Sequence, residues 1–211
     1  MKSKYDIIWS DSVDSTNNEA KRRISELDNL SVLSALSQTH GRGQGDHSWS
    51  SESGKNLLFS IVMKYTVPAD ALQSPLLSVH AHDQAVISQI AALSVIDFLA
   101  THDIEAKIKL PNDIYVGENK ICGILIEHTV RGSWLTSCVI GIGLNVNQRN
   151  FNVNLPNPTS MVLCGDHSDC DFDTRLLLDE FMKIFTGYLD RFCHITGGYN
   201  RLEKLFKASL I

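Results

Sequence analysis

Long apolar runs are missing from this sequence. None approaches the roughly 20 residues that a bilayer-spanning helix needs. The opening residues, Met1-Lys2-Ser3-Lys4-Tyr5, pass into polar sequence without the apolar core of a secretory signal. A cytoplasmic protein with no membrane association is the expectation. Basic charge is scarce too: 19 lysines and arginines face 24 aspartates and glutamates, for a formal net charge of −5. That balance argues against the broad basic face of a nucleic-acid-binding protein, while leaving room for a small basic pocket that takes a phosphate. The five cysteines (Cys122, Cys138, Cys164, Cys170 and Cys193) are odd in number and irregular in spacing, which speaks against a disulfide framework. Internal repeats and low-complexity tracts are absent.

What remains is an ordinary globular composition, 43% apolar and 20% charged over 211 residues, enough for one domain with a sizeable core. Residues 5–9 predict a short strand. Thr16-x-x-Glu19 matches a capping box, and Ala20, Ile24 and Leu27 at helical spacing predict a helix from about Thr16 to Leu27. A strand over 31–38 and a polar, glycine-rich loop over 39–55 come next. Leu57, Leu58, Phe59, Ile61, Val62 and Met63 are nearly continuous apolar residues, as in a buried strand over 56–65. Val86, Ile87, Ile90, Leu93, Val95 and Ile96 cover most of the circumference of a helix over 82–100. Residues 106–110 read as a strand stopped by Pro111. Two central strands, 121–127 and 135–146, flank a turn at Arg131-Gly132-Ser133. Residues 147–173 read as irregular, and 176–192 and 199–210 as helices separated by Gly197-Gly198. Strands in pairs, with helices between some of them, predict an α+β fold with a mixed sheet.

Three segments carry candidate chemistry. In Gly41-Arg42-Gly43-Gln44-Gly45, glycines let the backbone approach a ligand, arginine offers a planar fork for a phosphate or carboxylate, and Trp49 follows as a flat cover. A surface loop with an incidental arginine has even standing on composition alone. In the second segment, Pro111-Asn112-Asp113 forms a turn, and Lys120 opens a buried strand from which its ammonium can meet a carboxylate or acyl-phosphate oxygen. A solvated lysine on a hairpin is the plainer alternative. In the third, Gly141-Ile142-Gly143-Leu144-Asn145 places two glycines inside an apolar strand, which marks either a ligand against the strand or close packing of a helix. Cys164-x-x-His167-x-x-Cys170 supplies three potential zinc ligands where a structural site takes four, and reads better as an irregular loop. His102, His128, His194 and Glu127, the last read as exposed, receive no role.

Taken in order, these pieces resemble the biotin–protein ligase family. The matching features are Asp14-Ser15-Thr16-Asn17, Gln38 with the Gly-Arg-Gly loop at 41–43, Trp49, Lys-x-Pro-Asn-Asp at 109–113, Lys-x-x-Gly at 120–123 and Gly-x-Gly-x-Asn at 141–145. The resemblance implies an α+β fold with a mixed, largely antiparallel sheet and helices packed on it, like that of class II aminoacyl-tRNA synthetases. It implies ATP-dependent activation of biotin to biotinyl-5′-AMP and transfer to a lysine of a biotin carboxyl carrier protein. Ser15, Thr16, Asn17 and Gln38 would contact the ureido ring, with Arg42, Gly43, Gln44, Lys120, Gly123 and Gly141 completing the biotin site. Gly41, Arg42, Trp49, Asn112 and Asn145 would contact ATP. Arg42, Lys120 and Asp113 would be catalytic, with Asp113 steering either Mg²⁺ or the incoming carrier lysine; Mg²⁺ would enter with ATP near Asp113, without firmly assigned ligands.

The sequence departs from the family pattern at Leu110, where tryptophan is usual, at Gly45-Asp46 and His47, where basic or polar residues are common, and at His40, where a small residue is usual. Weakened ATP affinity is the expected consequence. The family reading takes residues 1–211 as one catalytic domain, without an N-terminal helix-turn-helix or DNA binding, and with the small C-terminal β-barrel absent or truncated. It permits a homodimer paired through a sheet edge. Two alternatives stay open: a lipoate or octanoate ligase or transferase of related fold, and a biotin-binding protein without transfer activity.

Overall fold

A computed structural model describes residues 4–66, 79–164, 171–192 and 198–211. Strand β1 (Asp6–Val13) leads into helix α1 (Thr16–Arg22), then β2 (Ser31–Gln38) and β3 (Leu57–Lys64). Helix α2 (Ala85–Ala100) precedes four further strands, β4 (Lys107–Lys109), β5 (Asp113–Val116), β6 (Asn119–Arg131) and β7 (Trp134–Leu144). Helices α3 (Thr174–Phe192) and α4 (Gly198–Ala208) follow. The seven strands form one sheet in the order β1-β2-β3-β7-β6-β5-β4. Only β1 and β2 run parallel; every other neighbouring pair is antiparallel. The expected mixed, largely antiparallel α+β architecture is therefore present. No helix among the described residues is long and apolar enough to cross a membrane.

The two-residue period of the strands separates a helix-covered face from the face that carries the cleft. Leu57, Phe59, Ile61 and Met63 of β3, with Ile140, Ile142 and Leu144 of β7 and Cys122 and Ile124 of β6, join the main core. There they pack with α2, α3 and Leu202 of α4; Phe59 and Phe181 meet edge-on at 5.2 Å. On the opposite face Val62, Val139 and Leu33 form a smaller cluster with Ala20 and Leu27. Both faces of β3 are thus covered, which explains its nearly unbroken apolar run. Buried residues occur all round α2 because it lies between the sheet and helices α3 and α4.

Several boundaries differ from the sequence expectation. Helix α1 ends at Arg22 instead of Leu27, yet Leu27 remains buried because a succession of turns carries it to the same cluster. Thr16 does not cap the helix: Ser15 occupies that position, and the Thr16 hydroxyl bonds to Gln38 and Ser60 instead. Glu19, the other half of the expected capping box, pairs with Arg22 and Arg23. Strand β1 extends past Trp9 to Val13 through its parallel partner β2. β4 is short, and the chain after it passes through a cis Leu110–Pro111 bond. Its outer edge is paired with the end of the chain, Ile108 donating to the Ser209 carbonyl and accepting from Ile211.

Candidate active site

The cleft opens on the sheet face away from helices α2–α4 and has a volume of about 290 Å³. At one end lies a polar cup. Ser15, Thr16 and Asn17 begin α1 and are buried. Gln38, at the end of β2, accepts hydrogen bonds through Oε1 from the Thr16 backbone N–H (2.7 Å) and the Thr16 hydroxyl (3.1 Å). Asn17 Nδ2 donates to the Leu125 carbonyl (3.2 Å) and to Glu127 Oε2 (3.0 Å), while its Oδ1 accepts from Ser60 Oγ at 2.6 Å. Both amide hydrogens of Asn17 are committed to protein acceptors, so towards a ligand this side chain offers its carbonyl oxygen.

The glycine-rich segment is a hairpin. Arg42 and Ser48 form an antiparallel bridge, Gly43 N–H donates to the His47 carbonyl, and Trp49 N–H donates to the Gly41 carbonyl. Gly41 is needed here because a Cβ would sit 2.3 Å from the Trp49 carbonyl oxygen. The hairpin returns Trp49 across the sheet, where the indole covers Gly123 and Gly143; a Cβ at Gly143 would lie 2.5 Å from the ring. Gly141 plays the same part for Asn17, whose Oδ1 would be 2.2 Å from an added Cβ. The strand glycines thus make space for two of the chain's own side chains, which in turn line the cleft.

At the other end, Lys120 Nζ lies 2.7 Å from Asp113 Oδ1 and 5.6 Å from the Trp49 ring centroid. Residues 157–159 hold the start of β6: Lys120 N–H donates to the Asn157 carbonyl and the Lys120 carbonyl accepts from Thr159 N–H. Asn112 Nδ2 and the Asn112 carbonyl both bond to the backbone of Ile124, which fixes the turn before Asp113. Cys122 points into the core, and burial raises its thiol well above its ordinary value, although nearby Lys120 acts in the opposite sense. It is no nucleophile for this cleft.

Of the fifteen residues given a ligand or catalytic role from the sequence, thirteen line this one cleft: Ser15, Thr16, Asn17, Gln38, Arg42, Gly43, Gln44, Trp49, Asn112, Asp113, Lys120, Gly123 and Gly141. Two do not line it. Gly41 lies inside the hairpin, and Asn145 is buried, with Nδ2 donating to the Thr159 carbonyl. The Asn145 Oδ1 is buried without a partner. Of the three potential zinc ligands, His167 and Cys170 lie outside the described residues, and no metal-binding cluster occurs among the described ones.

Two residues escaped the sequence reading. Ser60 is fully buried beneath Thr16 and Asn17, within 2.8 and 2.6 Å of their side-chain oxygens. Its signal was a lone serine in an apolar strand. Glu127, read as exposed, is partly buried and accepts from Asn17, Lys21 and Arg42. Burial alone would raise its pKa, but these three donors outweigh it and hold the carboxyl below its ordinary value. Nothing in the sequence pointed to it, since the donors come from α1 and the hairpin.

The family model for the biotin/lipoate A/B protein ligase family matches residues 9–145. The chain is 31% identical to biotin–protein ligase 1, chloroplastic, of Arabidopsis thaliana over 95% of its own length and 51% of that protein. It is 29% identical to the bifunctional ligase/repressor BirA of Escherichia coli strain K12, over 92% of its own length and 60% of that protein. It therefore spans little more than half of each of these relatives. Its structure resembles that of a biotin protein ligase from Aquifex aeolicus in complex with biotin and ATP, with a TM-score of 0.75 and 25% identity over 98% of this chain and 78% of that one.

Proposed function

The chain belongs to the biotin/lipoate A/B protein ligase family, and on that premise we propose that it activates biotin with ATP and passes it to a lysine of a biotin carboxyl carrier protein. The observation that carries this reading is one cleft with a buried polar cup at one end and the Lys120–Asp113 pair at the other. A ureido ring presents two N–H donors and one carbonyl oxygen. The Asn17 carbonyl oxygen and the hydroxyls of Ser15 and Thr16 suit the donors. Gln38 Nε2 suits the oxygen, because its own Oε1 is taken by Thr16. A buried ureido needs such pairing, and a site built for it rejects a ligand that leaves these groups unpaired. An apolar lipoyl or octanoyl chain leaves them so.

The chemistry follows from the charges in the cleft. The carboxylate of biotin attacks the α-phosphorus of ATP; a new O–P bond forms and pyrophosphate leaves. The amine of the carrier lysine then attacks the acyl carbon, AMP leaves, and the amine gives its proton to solvent. The first step gathers negative charge on the non-bridging oxygens of the α-phosphate and the second on the acyl carbonyl oxygen, and Lys120 and Arg42 are cationic side chains lining the cleft to meet it. Residues 41–49 would cover the mixed anhydride from water.

Asp113 is the one carboxylate among the described residues that line the cleft. That donor set suits Mg²⁺, which commonly binds through one or two carboxylates and the phosphates of its nucleotide. Asp113 would hold it beside the phosphates, where the ion would neutralise their charge. Pairing of two copies along a sheet edge belongs to the same reading, and sedimentation at micromolar concentration checks it.

The decisive experiment is exchange of labelled pyrophosphate into ATP, dependent on biotin and Mg²⁺, with lipoate and octanoate as controls. Exchange with biotin alone is expected. Exchange with lipoate or octanoate instead refutes the substrate assignment. Biotin binding without exchange refutes the activity and leaves a binding protein.

A further inference from the structure

One carboxylate near the cleft is the meeting point of three donors, from α1 and the hairpin. Glu127 on β6 accepts from Arg42 Nη1 through both oxygens, each at 2.9 Å, from Lys21 Nζ at 2.9 Å and from Asn17 Nδ2 at 3.0 Å. Arg42 Nη1 also donates to Asn18 Oδ1 at 3.2 Å. The Glu127 side chain is 24% exposed, whereas its two cationic partners, Arg42 and Lys21, are 37% and 42% exposed. The carboxylate is therefore the more enclosed member, and the arginine, carried by a nine-residue hairpin, is brought down onto it. Asn17 takes part of its orientation from the same group, beside the Leu125 carbonyl that also accepts from its Nδ2, since a reversed amide would face both with its oxygen.

We propose that Glu127 is a positioning residue of the cleft. It helps lock the Asn17 amide with its carbonyl oxygen towards the ring site, and it tethers the 41–49 hairpin through Arg42. The inference rests on the biotin reading for the identity of the ligand, but not for the tether. Glu127 itself need not touch the substrate. Its contribution is to remove in advance the disorder that binding would otherwise have to suppress.

Simple electrostatics predicts the opposite of this role. Glu127 offsets one of the two positive charges around it, so removing its charge raises the positive potential near Arg42 and should tighten the hold on the biotin carboxylate. Positioning predicts weaker binding. Glu127→Gln keeps the size and loses the charge, which separates the two.

The test takes the ligand-free chain and Glu127→Gln through amide hydrogen exchange, followed by calorimetric titration with biotin. Faster exchange over 41–49, with α2 and β7 as protected as in the parent, is expected, together with a biotin Kd raised about 10- to 100-fold, the size of losing a hydrogen bond to a charged group. Unchanged exchange over 41–49 overturns the tether. Faster exchange with an unchanged or lower Kd overturns the positioning role. A parent chain that binds no biotin refutes the substrate reading instead, and the exchange result then decides the tether by itself. If Glu127→Gln does not fold, Arg42→Gln breaks the same contact from its exposed side and must loosen the same nine residues, or the proposal falls.

Discussion

Gly141 offers the sharpest single perturbation, because its missing Cβ is where Asn17 sits. In Gly141→Ala the new carbon would lie 2.2 Å from Asn17 Oδ1 and 2.8 Å from Cγ, about 1 Å inside ordinary contact. The backbone itself has no objection to alanine: Gly141 lies in a regular ladder between β3 and β6 and is not among the glycines with positive φ. Asn17 must therefore give way, but Ser60, the Leu125 carbonyl and Glu127 hold it from three directions. Overpacking of this kind costs about 1–3 kcal/mol, offset by roughly 0.5–1 kcal/mol for replacing glycine inside a strand. A net loss of about 1–2 kcal/mol corresponds to a fall in Tm of roughly 2–8 °C for a chain of this size. Loss of the oriented Asn17 carbonyl should weaken biotin binding about 10- to 100-fold. Thermal melting and calorimetric titration of one preparation read both numbers. A folded variant with parental Tm and biotin affinity refutes the reasoning, since Asn17 would then be neither fixed by the strand nor in contact with the ligand.

Lys120→Ala should cut biotin-dependent pyrophosphate exchange by roughly two to three orders of magnitude, the scale of losing a charge contact made in the transition state; near-parental turnover removes Lys120 from the mechanism. Asp14 is held well below the ordinary carboxylate value by hydrogen bonds from Arg22 and Asn18. Because the folded value is the lower one, this stabilisation is complete above pH about 4 and is lost as pH falls through the folded value. Asp14→Asn should therefore flatten the acid limb of the urea midpoint against pH, and an unchanged limb counts against the pair. Gly187 lies exposed in the middle of α3 with open space where a Cβ would go. Gly187→Ala should raise stability by roughly 0.5–1 kcal/mol, and a lower denaturation midpoint would show that the helix surface is not free there.

Most of the fold was legible because it follows from local pattern. The apolar periods located α2 and α3, and the apolar runs located β3, β6 and β7. Reading failed where a distant partner intervened. The Thr16-x-x-Glu19 pattern suggested a local capping box, but Gln38 and Ser60 take the Thr16 hydroxyl. The glycine-rich segment suggested an open loop, but backbone bonds between 41–43 and 47–49 close it into a hairpin.

The sequence by itself determined which residues come together: short polar motifs in a fixed order name Ser15, Thr16, Asn17, Gln38, Arg42, Asp113 and Lys120, and all seven line one cleft. What only the tertiary structure decided is how those residues are held. Gly141 and Gly143 are small for the sake of Asn17 and Trp49, Ser60 is polar for the sake of Thr16 and Asn17, and Glu127 is acidic among Lys21, Arg42 and Asn17. Each of these relations spans at least 43 positions, and no local pattern encodes them. They exist because the sheet brings β3, β6 and β7 side by side under α1, where each polar group must find a partner or leave its hydrogen bonds unmade.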